Sequence, residues 1–304
     1  MNNNVLAIIV LYNPNFSILN SLINSVINQV RHVCIVDNTT TPDLNGINNI
    51  LMNYADQITY LPFYENLGIA TAQNRGIEWA KKKGFEHVLL LDQDSLLPSN
   101  MINNLLFDEQ VLINKGFKVA AIGPSFEDNK TKEVTSAVEA GIFRTKKKIN
   151  FSNDGFPLIS DYIISSGSLI RISVLDKMGY MKENLFIDWV DIEWGERCRN
   201  LGYYSFISQK VIMQHSIGDE HVKFLGKTIY LHSDFRNYFI VRNAVYLSKN
   251  SMMRWKLRCV MLLKTPYYIL LFSLFSQRKF YSLKLLSRAA LDGAINRMGK
   301  GYFR

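Results

Sequence analysis

The sequence predicts an α/β fold: a mixed, mostly parallel sheet with helices on both faces, followed by a helical tail that is both basic and apolar. Three observations predict it. Strand-like and helix-like segments alternate over about the first 120 residues, as in a parallel sheet built from strand–helix units. The run His87-Val88-Leu89-Leu90-Leu91 is apolar without alternation, the pattern of a strand covered on both faces. Charge is segregated along the chain. From Asn250 to Arg304 there are 11 Lys and Arg against Asp292 alone, while the preceding residues carry 24 basic and 25 acidic side chains.

The elements follow in order. Val5–Leu11 reads as a buried first strand. Asn13-Pro14-Asn15 opens a helix whose apolar residues, from Ile18 to Val30, recur at i, i+3/i+4. His32–Val36 is a second strand ending at Asp37-Asn38, and Thr39–Pro42 is a loop. Leu44–Tyr54 is a helix, Gln57–Leu61 a third strand, and Gly68–Lys83 a helix stopped by Gly84. The strand ending in Asp92-Gln93-Asp94 comes next, then a helix to about Lys115 and a strand at Lys118–Ile122.

Beyond Pro124 the pattern changes. Val134–Arg144 and Tyr162–Arg171 read as strands around the polar loop Thr145–Pro157. Trp189–Asn200 is a helix, and Tyr203–Ser208 and Val211–His215 are two strands. Residues 1–248 form one unit and 249–304 the tail. In the tail, Val260–Phe275 is nearly uninterrupted but contains Lys264, and it falls short of the ~20 apolar residues a spanning helix needs. A basic, aromatic-rich stretch of this kind suits a helix lying in an anionic membrane interface. Packing on the main unit or a homodimer contact through Tyr267, Tyr268 and Phe272 are the alternatives.

With 304 residues, 48% hydrophobic and 20% charged, the chain has the composition of a globular protein. A main unit balanced in charge argues against a nucleic-acid face. Met1–Asn4 lacks a basic n-region and Val5–Leu11 is too short for a signal core. Three scattered cysteines, Cys34, Cys198 and Cys259, fit neither a zinc pattern nor a disulfide framework, so a reducing cytoplasm is expected.

Chemistry concentrates in a few places. Asp92 and Asp94 end a strand at the sheet edge where open α/β sheets bind ligands. Two close carboxylates repel unless a cation intervenes, and hard oxygen ligands suit Mg²⁺ or Mn²⁺ shared with substrate phosphates. A solvated turn with Asp94 capping the next helix is the plainer reading. Asp37 can accept the N3–H of uracil or thymine, or serve as a turn cap. Asn66–Gly76 sets small residues and the amides Asn66 and Asn74 at a helix start, where phosphate is attracted; tight packing is the competing account. Asp188–Arg197 opens a helix with clustered acids, either dipole partners or a general base and its neighbours. Ser165–Ser168 is a small-residue loop able to line an acceptor pocket. His215 follows a strand and can complete a cation site or touch a diphosphate.

Taken together and in order, Val36-Asp37-Asn38, Asn66–Gly76, Asp92-Gln93-Asp94, Ser166-Gly167 and Val190–Glu193 with Arg197 resemble the inverting family 2 glycosyltransferases, which have the Rossmann-like GT-A fold. Gln214–Asp219 and Arg236–Asn243 resemble the bacterial rhamnosyltransferase branch of that family, which builds surface polysaccharides. The resemblance covers about Val5 to Leu247. It implies that Tyr12, Asn13, Asp37, Asn38, Asn66, Gly68, Asn74, Asp92 and Gln93 line the nucleotide-sugar site. It implies that Asp92 and Asp94, with His215, hold Mg²⁺ or Mn²⁺, and that Asp191 is the catalytic base. Ser166, Gly167, Trp189 and Glu193 would face the acceptor. Many relatives have Glu-Asp where this chain has Val190-Asp191, so Asp188 and Glu193 stand as rivals to Asp191. The implied donor is dTDP-L-rhamnose and the implied acceptor a lipid-linked saccharide of O-antigen or capsule, at the cytoplasmic face of the inner membrane.

Other classes fit less well. A sugar-nucleotide nucleotidyltransferase wants a Gly-rich phosphate loop after the first strand, and a dinucleotide oxidoreductase wants G-x-G-x-x-G there. Leu11-Tyr12-Asn13-Pro14 is neither. A non-catalytic membrane partner would need none of the three carboxylates. A family member using a UDP-sugar is the nearest alternative.

Overall fold

The computed structural model describes residues 4–128, 134–135, 137–140, 145–148, 155–215, 221–224, 227–230 and 232–301. At 128, 135, 139–140, 145–148, 215, 221–224 and 227–230 it describes the backbone only. The first half alternates as expected: β1 (Val5–Leu11), α1 (Phe16–Val26), β2 (His32–Asp37), α2 (Leu44–Tyr54), β3 (Ile58–Pro62), α3 (Ile69–Lys82), β4 (His87–Asp92), α4 (Met101–Asn114) and β5 (Val119–Asp128). There follow β6 (Val134–Thr135), β7 (Ala137–Ala140), β8 (Thr145–Lys148), β9 (Leu158–Ser160), β10 (Ser168–Arg171), α5 (Ile172–Met178), α6 (Val190–Asn200) and β11 (Tyr204–His215). A short hairpin, β12 (His221–Phe224) and β13 (Lys227–Tyr230), precedes α7 (Asp234–Asn250), α8 (Trp255–Phe275) and α9 (Lys279–Ala294).

The main sheet runs β3-β2-β1-β4-β10-β5-β11-β9, with β6 paired to β5. Strands β3, β2, β1, β4, β5 and β11 share one direction, and β10 and β9 oppose it. The alternate faces of β1 show why the strand reads as unbroken apolar sequence. Leu6 and Ile8 enter one core with Ala72, Ile77 and Trp194, while Val5, Ala7 and Ile9 enter the other with Leu19, Leu22 and Leu105. Each fully buried aliphatic side chain contributes roughly 1.5–3 kcal/mol.

Three strand expectations change. Tyr162–Arg171 is a strand only from Ser168, because Gly167 takes φ +81° and Ser168 N–H closes a turn on Ser165 O. The two strands expected at Tyr203–Ser208 and Val211–His215 are one, with a register shift between Ser208 and Ile212. Thr145–Lys148, expected in a loop, pairs with Ala137–Ala140. Within the expected strand Val134–Arg144, residues 136 and 141–144 lie outside those described.

Helices α7, α8 and α9 pack on one another around Phe186, Tyr238, Phe239, Phe272 and Leu286. Gly293 makes the α7–α9 crossing close: a Cβ there would sit 2.3 Å from Arg242 O. The boundary expected at 248/249 falls in the last turn of α7. Helix α8 has 21 residues, longer than the run counted from Val260, and among the described residues it alone is long and apolar enough to cross a membrane.

Candidate active site

Strand register assembles one side of the site. Leu11 pairs with Asp37 and Val10 with Asp92, so Tyr12, Asp37 and Asp92 end side by side at the carboxyl edge of three neighbouring strands. Asp37 is buried. Its Oδ1 accepts from Thr39 N–H at 2.8 Å and its Oδ2 from the Tyr60 hydroxyl at 2.8 Å. It is therefore a turn cap, and each oxygen still has a lone pair for a further donor. Burial, then the bond to Asp37, pushes the Tyr60 phenol well above its ordinary range.

Gln93 points back to the chain. Its Oε1 accepts from Tyr12 N–H at 2.9 Å and its Nε2 donates to Tyr12 O at 3.3 Å. The clamp fixes the backbone of Tyr12 and leaves the Tyr12 side chain half exposed. Asn13, at φ +47°, donates its N–H to Thr39 Oγ1 at 2.9 Å.

The Asn66–Gly76 stretch is held mainly by protein. Asn38 accepts from Leu67 N–H and donates to Gly68 O, both at 3.2 Å, and Asn66 Oδ1 accepts from Gly68 N–H at 3.0 Å. Gly68 has φ +90°, and a Cβ there would lie 2.6 Å from Phe186 O. Ile69, first in α3, donates to that same carbonyl at 2.8 Å. Gly76 meets Ile8 as closely. Asn74 corrects the sequence reading. Its Nδ2 donates to Met181 O and Glu183 Oε1, each at 2.9 Å, and its Oδ1 accepts from Met181 N–H at 3.0 Å. Its amide is spent on joining α3 to the 181–183 segment, so packing rather than ligand binding accounts for it.

Asp92 ends β4, and Asp94 lies exposed in the turn beyond it. Asp94 does not cap α4: the N-cap is Asn100, and it makes no side-chain cap bond. Burial pushes the Asp92 carboxyl up to about 7, aided by the negative charges of Asp94 and Asp191 and opposed by Arg236. Charged groups from three separate parts of the chain thus act on one another at this strand end.

The other side of the site is a strained loop. Phe186, Asp188 and Trp189 all have φ between +61° and +67°, a conformation costing of order 1–3 kcal/mol per non-glycine residue. Helix α7 holds it. Asn243 Nδ2 donates to Leu185 O at 3.0 Å, Ile187 O at 2.9 Å and Asp188 O at 3.2 Å. Arg242, fully buried, donates to Leu185 O at 3.0 Å, and Arg236 pairs with Asp188 at 2.7 Å. Trp189 Nε1 donates to Ile240 O at 3.1 Å, a structural bond at a residue expected to face the acceptor. The loop delivers Asp191 to the first turn of α6. There its Oδ1 accepts from Ile192 N–H at 2.8 Å and its Oδ2 from Ser165 N–H at 3.2 Å. Burial still pushes the carboxyl up to about 6.

The rivals to Asp191 have other partners. Glu193 is buried, bonded twice to Arg197 at 3.2 and 3.1 Å and paired with Lys182 at 3.0 Å. That brace corrects its expected place on the acceptor side. Asp188 is bound to Arg236. Ser166 is also buried, its Oγ 2.6 Å from Ser95 Oγ, so it ties the loop of Asp94 to the start of β10. Gly167 N–H donates to Leu90 O at 2.8 Å, and a Cβ there would press on Pro124 at 2.9 Å. His215 ends β11; its side chain, and residues 216–219 of the same run, lie outside those described.

Sequence reasoning assigned no role to Tyr60, Arg236, Arg242 or Asn243. A signal existed for the last two: Arg and Asn at the centre of a helix otherwise facing a core need buried partners.

Among the described residues no cluster of three or more metal-ligating side chains occurs. The Asp92–Asp94 pair nevertheless fits Mg²⁺ or Mn²⁺. Such ions are held by one or two carboxylates plus substrate phosphates, and two like charges here are only partly offset by Arg236.

An α/β sheet with carboxylates at its carboxyl edge and a half-buried acid beyond them has the layout of a GT-A glycosyltransferase. Residues 6–178 match the family model described as glycosyl transferase family 2, and the chain belongs to that family. It is 35% identical over 251 residues to the dTDP-rhamnosyl transferase RfbF of Shigella flexneri, covering 83% of this chain and 82% of that protein. The fold is shared with S. aureus TarS 1-349 in complex with UDP-GlcNAc (TM-score 0.59, 14% identity, 96% of this chain and 82% of that one). It is shared too with GalNAc-T7 with UDP, GalNAc and Mn²⁺ (TM-score 0.58, 12% identity, 79% of this chain and 50% of that one).

Proposed function

We propose that the chain transfers L-rhamnose, with inversion, from dTDP-L-rhamnose to a hydroxyl of a lipid-linked saccharide in O-antigen or capsule synthesis. The observation that carries this is the register that sets Asp37 and Asp92 on neighbouring strand ends, where the charges of Asp94, Asp191 and Arg236 act on Asp92. The dTDP-rhamnosyl relative supports the donor. Asp37, steadied by Thr39 and Tyr60, accepts the N3–H of the base. Asp92 and Asp94 would hold a divalent cation, which would offset charge on the departing diphosphate. Asp191 takes the acceptor proton on a carboxylate oxygen as the acceptor oxygen bonds to the anomeric carbon. The bond from that carbon to the diphosphate oxygen breaks, and dTDP leaves with the electron pair. Residues 1–248 carry this chemistry. A lipid-borne acceptor places the protein at the cytoplasmic face of the inner membrane, with residues 249–304 toward the lipid.

A UDP-sugar donor is the second reading. Uracil offers the same N3–H to Asp37, and a TarS structure of the same fold holds UDP-GlcNAc. A donor screen with Mn²⁺, scoring nucleoside diphosphate release, separates the two. Preference for dTDP-rhamnose is expected, and equal turnover with UDP-hexoses would defeat the rhamnosyl assignment.

A further inference from the structure

Helix α8 is apolar except for Lys256, Arg258 and Lys264, yet only 28% of its apolar stretch is buried. Its inner face packs Met261, Leu271 and Phe272 against the protein. Its outer face presents Trp255, Leu262, Leu263, Tyr267, Leu270 and Leu274, with Leu263 78% and Leu270 66% exposed. These positions recur at helical spacing and form one stripe about 30 Å long. Among the exposed residues of α8 only Lys256, in its first turn, carries a charge. A helix apolar all round belongs in a core or in lipid, and a contiguous stripe of this length marks an interaction surface. Cations border it. Lys256 lies at one end and Arg278 and Lys279 at the other, beside Phe280, which is 91% exposed. An apolar stripe bordered by cations complements the anionic headgroups and hydrocarbon edge of a lipid leaflet.

Length alone would let α8 span a bilayer, but its ends are tied to the same body. Ahead of it, Arg254 bonds Asp161 at 2.7 Å and Glu196 at 2.9 Å, the latter on the helix that carries Asp191. Arg258, in its first turn, donates to Ser248 O and Lys249 O. Just beyond its far end, Ser276 Oγ bonds Asp234 at 3.3 Å at the start of α7. Further on, α9 returns to α7 through Tyr238–Asp292 at 2.7 Å and Lys249 Nζ–Ala294 O at 2.6 Å. A spanning α8 would carry one of these anchorages across the membrane.

We infer that α8 docks in the plane of an anionic lipid leaflet, its Trp255–Leu274 stripe entering the headgroup boundary while both ends stay fixed to the catalytic body. This deepens the membrane-side reading of the acceptor and rests on it. The test uses the full chain and vesicles of phosphatidylglycerol and phosphatidylethanolamine, with phosphatidylcholine vesicles as the neutral control. Co-sedimentation with the anionic vesicles is expected. Leu263→Gln/Leu270→Gln should weaken it by at least about tenfold while transfer to a water-soluble acceptor is unchanged. Binding by that variant equal to the parent chain would overturn the docking surface. So would a parent chain that ignores vesicles and sediments as a dimer which the double substitution splits, since a second copy would then cover the stripe. Orientation is read with a fluorophore on Leu263→Cys in a Cys259→Ser background. Quenching should be strongest from shallow spin-labelled lipids, and strongest quenching from the deepest label would mean a span. Failure of the donor screen leaves vesicle binding standing, so the two readings fail separately.

Discussion

Asp92 and Asp191 carry the same carboxyl group, both pushed above the ordinary carboxylate range by burial, yet they reach the site by different routes. Asp92 stands at the end of a strand whose neighbours on both sides are set by backbone pairing. Asp191 stands after a loop with three left-handed residues, held by side chains some fifty residues later in α7. The sheet edge is thus placed by local pattern and pairing, and the proposed base by remote hydrogen bonds. The sheet side should tolerate damage to α7. The base should not.

The largest expected effect is on the base itself. Asp191→Asn should lower kcat by about 10²–10⁴-fold while donor affinity by calorimetry stays unchanged; an equal loss of affinity would make Asp191 a binding group. Because the ionised form is the base, kcat/KM should rise about tenfold per pH unit below 6 and level off above it. The same shift has a stability sign. The folded carboxyl binds its proton more tightly than the unfolded one, so its ionisation costs stability as pH rises from the ordinary value through about 6. In metal-free protein Asp191→Asn should therefore raise Tm at pH 7.5, with the gain gone near pH 4.

Next is the brace behind the base. Glu193→Ala strands Arg197 and Lys182 without their carboxylate and should cost about 3–5 kcal/mol in denaturant unfolding. A neutral result would mean that the buried ion pair is not what holds α6. Smaller again is Asn243→Ala, which leaves the carbonyls of Leu185, Ile187 and Asp188 without this donor. It should cost about 1–3 kcal/mol and depress turnover, with dTDP affinity intact. If dTDP affinity falls in parallel, the two sides of the site are not independent. The smallest effect falls on the sheet edge: Tyr60→Phe removes one bond to Asp37 and should weaken dTDP binding by about 0.5–1.5 kcal/mol, with kcat for bound donor preserved.

Much of this was legible in the residues. The alternation that places β1 to β4 survives almost to the residue, because buried parallel strands need unbroken apolar runs and helices need one apolar face. Asp37, Asp92 and Asp94 were legible as a set for the same reason, since the ends of such strands share one edge. Asn74 and Glu193 misled. Their residue types suit ligand work, but a buried amide or carboxylate takes whatever partner the fold brings, here Met181 and Arg197. The tail was legible as apolar and basic, but not as a helix from Trp255 to Phe275 tied to the protein at both ends.

Chain order and apolar pattern were enough for the sheet and its carboxyl edge, because those depend on contacts between segments that repeat locally, and the resemblance of the ordered motifs was enough for the family. Only the tertiary structure separated the surroundings of the candidate acids. Glu193 and Asp191 are two residues apart on one helix, so they face different directions. One meets Arg197 in the core and the other meets Ser165 and the charge of Asp92. A sequence lists both carboxylates alike, and the partner each finds depends on packing between segments far apart in the chain.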